Sequence, residues 1–72
     1  MKKDSIGDRI VAWRKIKGMT QGQLAEATEM SPSYISLIES GKRTNPSIEQ
    51  VRSIVQALGC KTMREFYGGD LD

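Results

Sequence analysis

Thr20-Gln21-Gly22-Gln23-Leu24-Ala25-Glu26-Ala27-Thr28, then Glu29-Met30-Ser31, then Pro32-Ser33-Tyr34-Ile35-Ser36-Leu37-Ile38-Glu39-Ser40-Gly41, is the stretch that decides the fold. Thr20 with Gln23 makes the pattern of a capping box, in which hydroxyl and amide satisfy each other's backbone N–H just ahead of Leu24 and Ala25. A helix over residues 21–28 is predicted. Ser31, a favoured N-cap, stands before Pro32, which suits the first helical position, and Gly41 stands where the apolar pattern stops. A second helix over 32–40 follows, so two short helices are joined only by Glu29-Met30-Ser31.

Working outward, Ile6, Ile10 and Trp13, with Ile16 and Lys17 a turn further on, recur at helical spacing before Gly18 and predict a first helix over 5–17. Residues 41–46 are a polar loop. Ser47 and Gln50 then repeat the capping box ahead of Ile48, Val51, Ile54, Val55 and Leu58, in a helix expected to end at Gly59. Thr62 and Glu65 start a short last helix with Met63 and Phe66 on one side, closed by Gly68-Gly69. Nothing alternates with a period of two, so no strand competes. The expected fold is all-α: a compact five-helix bundle forming a single domain over 1–72, with its core in 5–67 and a frayed tail at 68–72. The inward stripes place Ile6, Ile10, Trp13, Met19, Leu24, Ala25, Met30, Ile35, Ile38, Ile48, Val51, Ile54, Leu58, Met63 and Phe66 in the core.

Composition narrows the function. With 72 residues the chain is close to the size at which one core only just suffices. The single cysteine, Cys60, leaves no disulfide, dithiol or thiolate pair, and it falls where the last interhelical turn wants an apolar residue, so it reads as a buried, inert thiol. Histidine is absent, which removes the commonest general base and metal ligand. Without a nucleophile–base pair, metal cluster or phosphate loop, the chain is read as no enzyme, with no cofactor and no metal. Ile10-Val11-Ala12-Trp13 is far too short to span a membrane, and no secretory apolar region follows Met1-Lys2-Lys3, so a cytoplasmic, membrane-free protein is expected.

The net charge of +2 says little, but its distribution says more. Residues 1–18 carry six basic and two acidic side chains, residues 19–40 carry no basic and three acidic ones, and Lys42-Arg43 follow in the polar loop. At about 100° per residue, Ile35 and Ile38 point one way while Ser33 and Ser40, flanked by Ser36 and Leu37, point the other. A merely solvated face would more often carry Glu and Lys, because serine is a mediocre helix former. Small hydroxyls let a helix approach a DNA duplex and bond to base edges or phosphates, and Leu37 suits a thymine methyl. The alternative reading of this face is a chance serine-rich surface.

The combination of Thr20-Gln21 with Leu24-Ala25, Ser31-Pro32-Ser33-Tyr34-Ile35-Ser36-Leu37-Ile38-Glu39-Ser40-Gly41-Lys42-Arg43, and Asn45-Pro46-Ser47-Ile48 resembles the Cro and phage-repressor family of helix-turn-helix proteins, also called the xenobiotic-response-element family. The resemblance covers residues 5–67 and implies a lambda-repressor-like bundle in which the second and third helices form the helix-turn-helix. It implies that Pro32, Ser33, Ser36 and Leu37 contact base edges in the major groove. Phosphate contacts would fall to Thr20 and Gln21 at one end and to Ser40, Lys42, Arg43 and Asn45 at the other. Tyr34 is placed with them, its other reading being a ring over the core rim. Lys42-Arg43 would otherwise be an ordinary solvated pair, and Gln21 simply a helix former. Arg14 is implied to pair with Glu39, fastening the first helix to the third. One departure is Glu29, where the family usually has glycine. Another is that Pro32 and Leu37 replace the amides common at reader positions.

The implied partner is double-stranded DNA, in a roughly palindromic operator bound by a homodimer, and the implied activity is transcriptional regulation, as a repressor. Met63, Phe66 and Tyr67 offer the last helix more apolar surface than its own packing needs, which points to the dimer interface. The competing hypothesis is an antitoxin-like interaction module of the same fold whose main partner is a protein.

Overall fold

A computed structural model of the chain describes residues 5–43 and 46–68. The backbone runs through five helices, α1 (Ile6–Lys17), α2 (Gln21–Thr28), α3 (Pro32–Ser40), α4 (Ile48–Ala57) and α5 (Met63–Gly68), with no strand among the described residues. Both ends of α2 and of α3 fall where the punctuation put them. Helix α4 stops at Ala57, short of the expected Gly59, and Gly68 belongs to α5. The rest of the expected tail, 69–72, lies outside the described residues, as does Asn45.

The helix starts are fixed by local chemistry. The hydroxyl of Thr20 accepts the Gln23 N–H at 3.0 Å while Gln23 Oε1 accepts the Thr20 N–H at 2.8 Å. Ser47 and Gln50 do the same for α4, and Ser31 caps α3 by accepting the Tyr34 N–H at 3.0 Å. A further box that the sequence reading missed opens α1: Ser5 pairs with Asp8, an aspartate in the place more often held by Glu or Gln. At α5 the expected box is displaced, because Thr62 Oγ1 accepts the Glu65 N–H but Glu65 Oε1 takes the N–H of Lys61 rather than that of Thr62. Each cap stabilises its helix by about 1 kcal/mol.

Three helix ends share one device. After α1, α2 and α4 a left-handed residue (Gly18, Glu29, Gly59) is followed by an apolar one (Met19, Met30, Cys60) whose N–H returns to a carbonyl of the last turn, at Arg14, Ala25 and Val55. This is the Schellman closure, and its characteristic apolar contact turns the following side chain inward. It explains why Cys60 is buried and why Met19 and Met30 pack against the core. Glu29, at φ 59°, is the one non-glycine residue described with a positive φ. An L side chain there costs about 1 kcal/mol, part of which a glycine would return to the unfolded chain as entropy. Glu29→Gly is therefore expected to raise stability by up to about 1 kcal/mol and the Tm by a few degrees. Thermal unfolding checks this, and an unchanged or lower Tm would mean that the Glu29 side chain stabilises the turn in some further way.

Ile10, Trp13, Leu24, Ala25, Ile35, Ile38, Val51, Ile54, Leu58 and Phe66 are buried as expected, as is the Cys60 thiol, and Val55 joins them. Ile6, Met19, Met30 and Met63 pack against this cluster half-buried. Ile48 does not belong to it: the side chain is 67% exposed. It opens α4 at the edge of the stripe made by Val51, Ile54, Val55 and Leu58, before the helix has reached the packed region. Ile16 is likewise exposed, on the last turn of α1. The expectation that Met63, Phe66 and Tyr67 together leave spare apolar surface is corrected, and the core assignment of Phe66 is the one that holds. Its ring is fully buried in its own domain, Met63 is half-buried, and only Tyr67 of the three is exposed.

Helix α1 crosses directly over α3. A Cβ on Gly7 would collide with the Ile38 carbonyl oxygen and lie 2.8 Å from the Glu39 carbonyl, so the two backbones touch at a point that only glycine fills. Further along α1, Trp13 Nε1 donates to the Phe66 carbonyl at 3.0 Å and Arg9 donates to the same oxygen at 3.3 Å, pinning α5. With α1 braced in this way, α3 is clamped on its inner side and its outer side is left bare.

Candidate nucleic-acid interface

The outer face of α3 is built from residues whose conformations the helix dictates. Ile35 and Ile38 are fully buried, which forces Pro32, Ser33, Ser36 and Leu37 outward. These four join Gln21, from the first turn of α2, in lining one open cleft of about 460 Å³. All five are sequence-predicted site residues, and among the described residues no charged side chain lines the cleft.

Of the other predicted contacts, Thr20 precedes α2 and Ser40, Lys42 and Arg43 lie at the far end of α3, while Asn45 lies outside the described residues. Thr20 is occupied as the cap of α2. Ser40 Oγ donates to the Leu37 carbonyl at 3.1 Å, and Lys42 and Arg43 follow Gly41, both exposed. The loop is drawn back over the end of α3 by the Arg43 N–H, which donates to the Leu37 carbonyl at 3.0 Å. The position after the left-handed Gly41 is held by exposed Lys42 instead of an inward apolar residue, so this helix end, unlike the three others, opens to solvent. Arg43 lies 5.5 Å from the centroid of the Tyr34 ring, a cation–π arrangement that steadies the guanidinium. Tyr34 itself is half-buried and donates its hydroxyl to Gln50 Oε1 at 2.7 Å. Its ring thus stands at the core rim, supporting Arg43. Gln50, whose oxygen also accepts the Ser47 N–H, was not among the expected site residues; its cap role hid this second one.

Beneath the cleft lies an ion pair. Arg14 donates from Nε to Glu39 Oε2 at 2.7 Å and from its terminal nitrogen to Oε1 at 3.0 Å, a bidentate fork, and its remaining nitrogen donates to the Met19 carbonyl. The side chains are 16% and 7% exposed, so water is largely excluded. The hydrogen bond to Glu39 holds the Arg14 pKa above its already high ordinary value, with burial opposing and the carboxylate charge adding to the rise, so the guanidinium stays charged. Glu39 has a second partner that the sequence reading did not supply: Gln21 Nε2 donates to Oε1 at 2.9 Å. One carboxylate on α3 therefore ties down α1 and α2 together and orients the Gln21 amide at the lip of the cleft.

Elsewhere, burial pushes the Cys60 thiol pKa up, Glu65 adds to the rise, and Lys17 opposes it. No group of His, Cys, Asp and Glu that would hold a metal ion occurs among the described residues, and no described helix is long and apolar enough to cross a membrane.

A helix-turn-helix family model matches residues 10–66. The transcriptional regulator SinR of Bacillus subtilis (strain 168) is 42% identical over 53 residues, which are 74% of this chain and 48% of SinR. The immunity repressor protein of Bacillus phage phi105 is 44% identical over 55 residues, 76% of this chain and 38% of the repressor. An uncharacterised HTH-type transcriptional regulator of Sinorhizobium fredii, y4dJ, is 33% identical over 54 residues, covering 75% and 69%. The chain spans about half the length of SinR and less of the phage repressor. No solved structure gives a significant match. The matched residues include both helices of the tight turn, the buried clamp behind them and the loop after α3, and on this evidence the chain belongs to the Cro and phage-repressor type of helix-turn-helix family.

Proposed function

We propose that this chain is a sequence-specific double-stranded DNA-binding domain of a transcriptional regulator, acting as a repressor in the cytoplasm, with α3 in the major groove. The observation that carries the reading is the outer face of α3: uncharged, small and rigidly backed, with Lys42 and Arg43 exposed at one end and the start of α2 at the other. Reader and holder are thereby separated, as base readout and phosphate positioning require. Pro32, Ser33, Ser36 and Leu37 take base edges. Phosphates fall to Lys42, Arg43, Gln21, Thr20, Ser40 and Asn45, and Tyr34 acts through Arg43. The relatives, transcriptional regulators and an immunity repressor by name, support the same reading.

A nine-residue helix reads few bases, so two copies bind a roughly palindromic operator with half-sites about one helical turn, 34–36 Å, apart. The apolar side chain that α5 leaves for the interface is Tyr67, 44% exposed. Repeated selection of bound duplexes from a random pool tests this. Enrichment of a two-fold symmetric site is the expected outcome; a pool that never departs from random, or sites with no symmetry, would refute the DNA reading or the dimer respectively.

A further inference from the structure

Guanine is most often read in the major groove by the donors of Arg or Lys, and adenine by the paired donor and acceptor of Asn or Gln. Among the described residues the cleft is lined by no Arg or Lys and by one amide. Residues 19–40 contain no Lys or Arg, Arg14 is locked on Glu39, and Arg43 is held on the Tyr34 ring beyond the end of α3. The amide lining the cleft, Gln21, spends one of its two N–H groups on Glu39, which fixes its orientation at the lip. What the cleft does offer is two hydroxyls between two apolar walls. In angular order the face runs Pro32, Ser36, Ser33, Leu37, spanning about 140° at the helical repeat. Leu37 is 40% exposed, the one large apolar side chain that α3 gives up to solvent.

The base edge that an apolar wall recognises in the major groove is the 5-methyl group of thymine, which adenine and guanine lack and which distinguishes thymine from cytosine along with the exocyclic group. We infer that the cleft of Gln21, Pro32, Ser33, Ser36 and Leu37 is a thymine-methyl reader, in which Leu37, with Pro32 as the opposite wall, sets the base preference by covering the 5-methyl group. Ser33 and Ser36 accept or donate to the adjoining base edges, while Gln21, held by Glu39, limits how far the duplex shifts across the cleft. This rests on the proposed DNA binding and names the base chemistry that the site selects.

The test replaces thymine by deoxyuridine, which removes only the methyl group. Duplexes of the selected operator carrying a single dT→dU change at each thymine in turn are titrated against the wild-type chain and against Leu37→Ala, whose fold is checked by circular dichroism. Wild type is expected to bind about fourfold more weakly (~0.8 kcal/mol) at one or two thymines per half-site. Leu37→Ala is expected to bind the dT and dU duplexes alike at a thymine that Leu37 covers. An operator without fixed thymines, equal binding of every dU duplex by wild type, or undiminished discrimination by Leu37→Ala would each overturn the methyl reading while leaving DNA binding intact. Failure to select any duplex overturns both, and is a different result.

Discussion

Ile35→Ala is expected to destabilise the domain by about 2–5 kcal/mol, towards the upper part of that range. The side chain is fully buried on the inner face of α3, where that helix packs against both α1 and α2. Removing three carbons there leaves a cavity bounded by several helices, and α1 has no freedom to move in and fill it because its backbone already touches α3 at Gly7. A domain of this size has roughly 4–11 kcal/mol in total, so the loss is a large share of it. Denaturant titration should show the midpoint falling with the slope unchanged. Ser36→Ala, one residue further on but exposed, should change stability by less than about 0.5 kcal/mol. Equal effects at the two positions would reverse the assignment of the inner and outer faces.

Glu39→Ala should cost about 3 kcal/mol, because it leaves the Arg14 guanidinium without its counter-charge in a site that water reaches poorly. It also releases Gln21, so α2 loses its side-chain tie to α3. The pair is expected to be weaker evidence of net stability than this loss implies. Two charges taken from water attract each other strongly, but both have lost hydration, and an apolar pair of similar volume recovers much of the difference. The double variant Arg14→Met, Glu39→Leu is therefore expected to be more stable than Glu39→Ala alone. A loss below about 1 kcal/mol in Glu39→Ala would mean that the pair is solvated and that α1, α2 and α3 are held together by apolar contact alone.

The sequence made α2 and α3 legible to the residue because their limits are local events: Thr20 with Gln23, Ser31 before Pro32, Gly41 after Ser40. The candidate site was legible for the same reason, since one helix with two buried isoleucines dictates which side chains face out. What could not be read depended on where neighbouring helices end. Ile48 has the right residue type and nearly the right phase, but nothing in the chain says that the packed part of α4 begins a turn later. Phe66 was placed in the core but also counted towards an interface, because the sequence does not show that Trp13 and Arg9 pull α5 down onto α1. Nothing in the sequence marks Gly7, because the Ile38 carbonyl meets it only across the crossing of α1 and α3. The second partner of Glu39 was hidden in the same way, because Gln21 meets it only once both helices are folded. The resemblance supplied the Arg14–Glu39 pairing and flagged Glu29; the left-handed conformation explains why glycine would suit that turn.

A salt titration distinguishes base reading by α3 from phosphate holding by the loop behind it. Wild type, Arg43→Ala and Leu37→Gln are titrated against the selected operator and its single-base variants at several salt concentrations. Arg43→Ala should bind every duplex more weakly, with the slope of log affinity against log salt lowered by nearly one and the order of preference among the variants kept. Leu37→Gln should keep the wild-type salt slope and change which base is preferred at one or two positions. Variants that both altered only the salt dependence would contradict the claim that α3 reads sequence, and variants that changed nothing while remaining folded would mean that this helix-turn-helix binds something other than DNA.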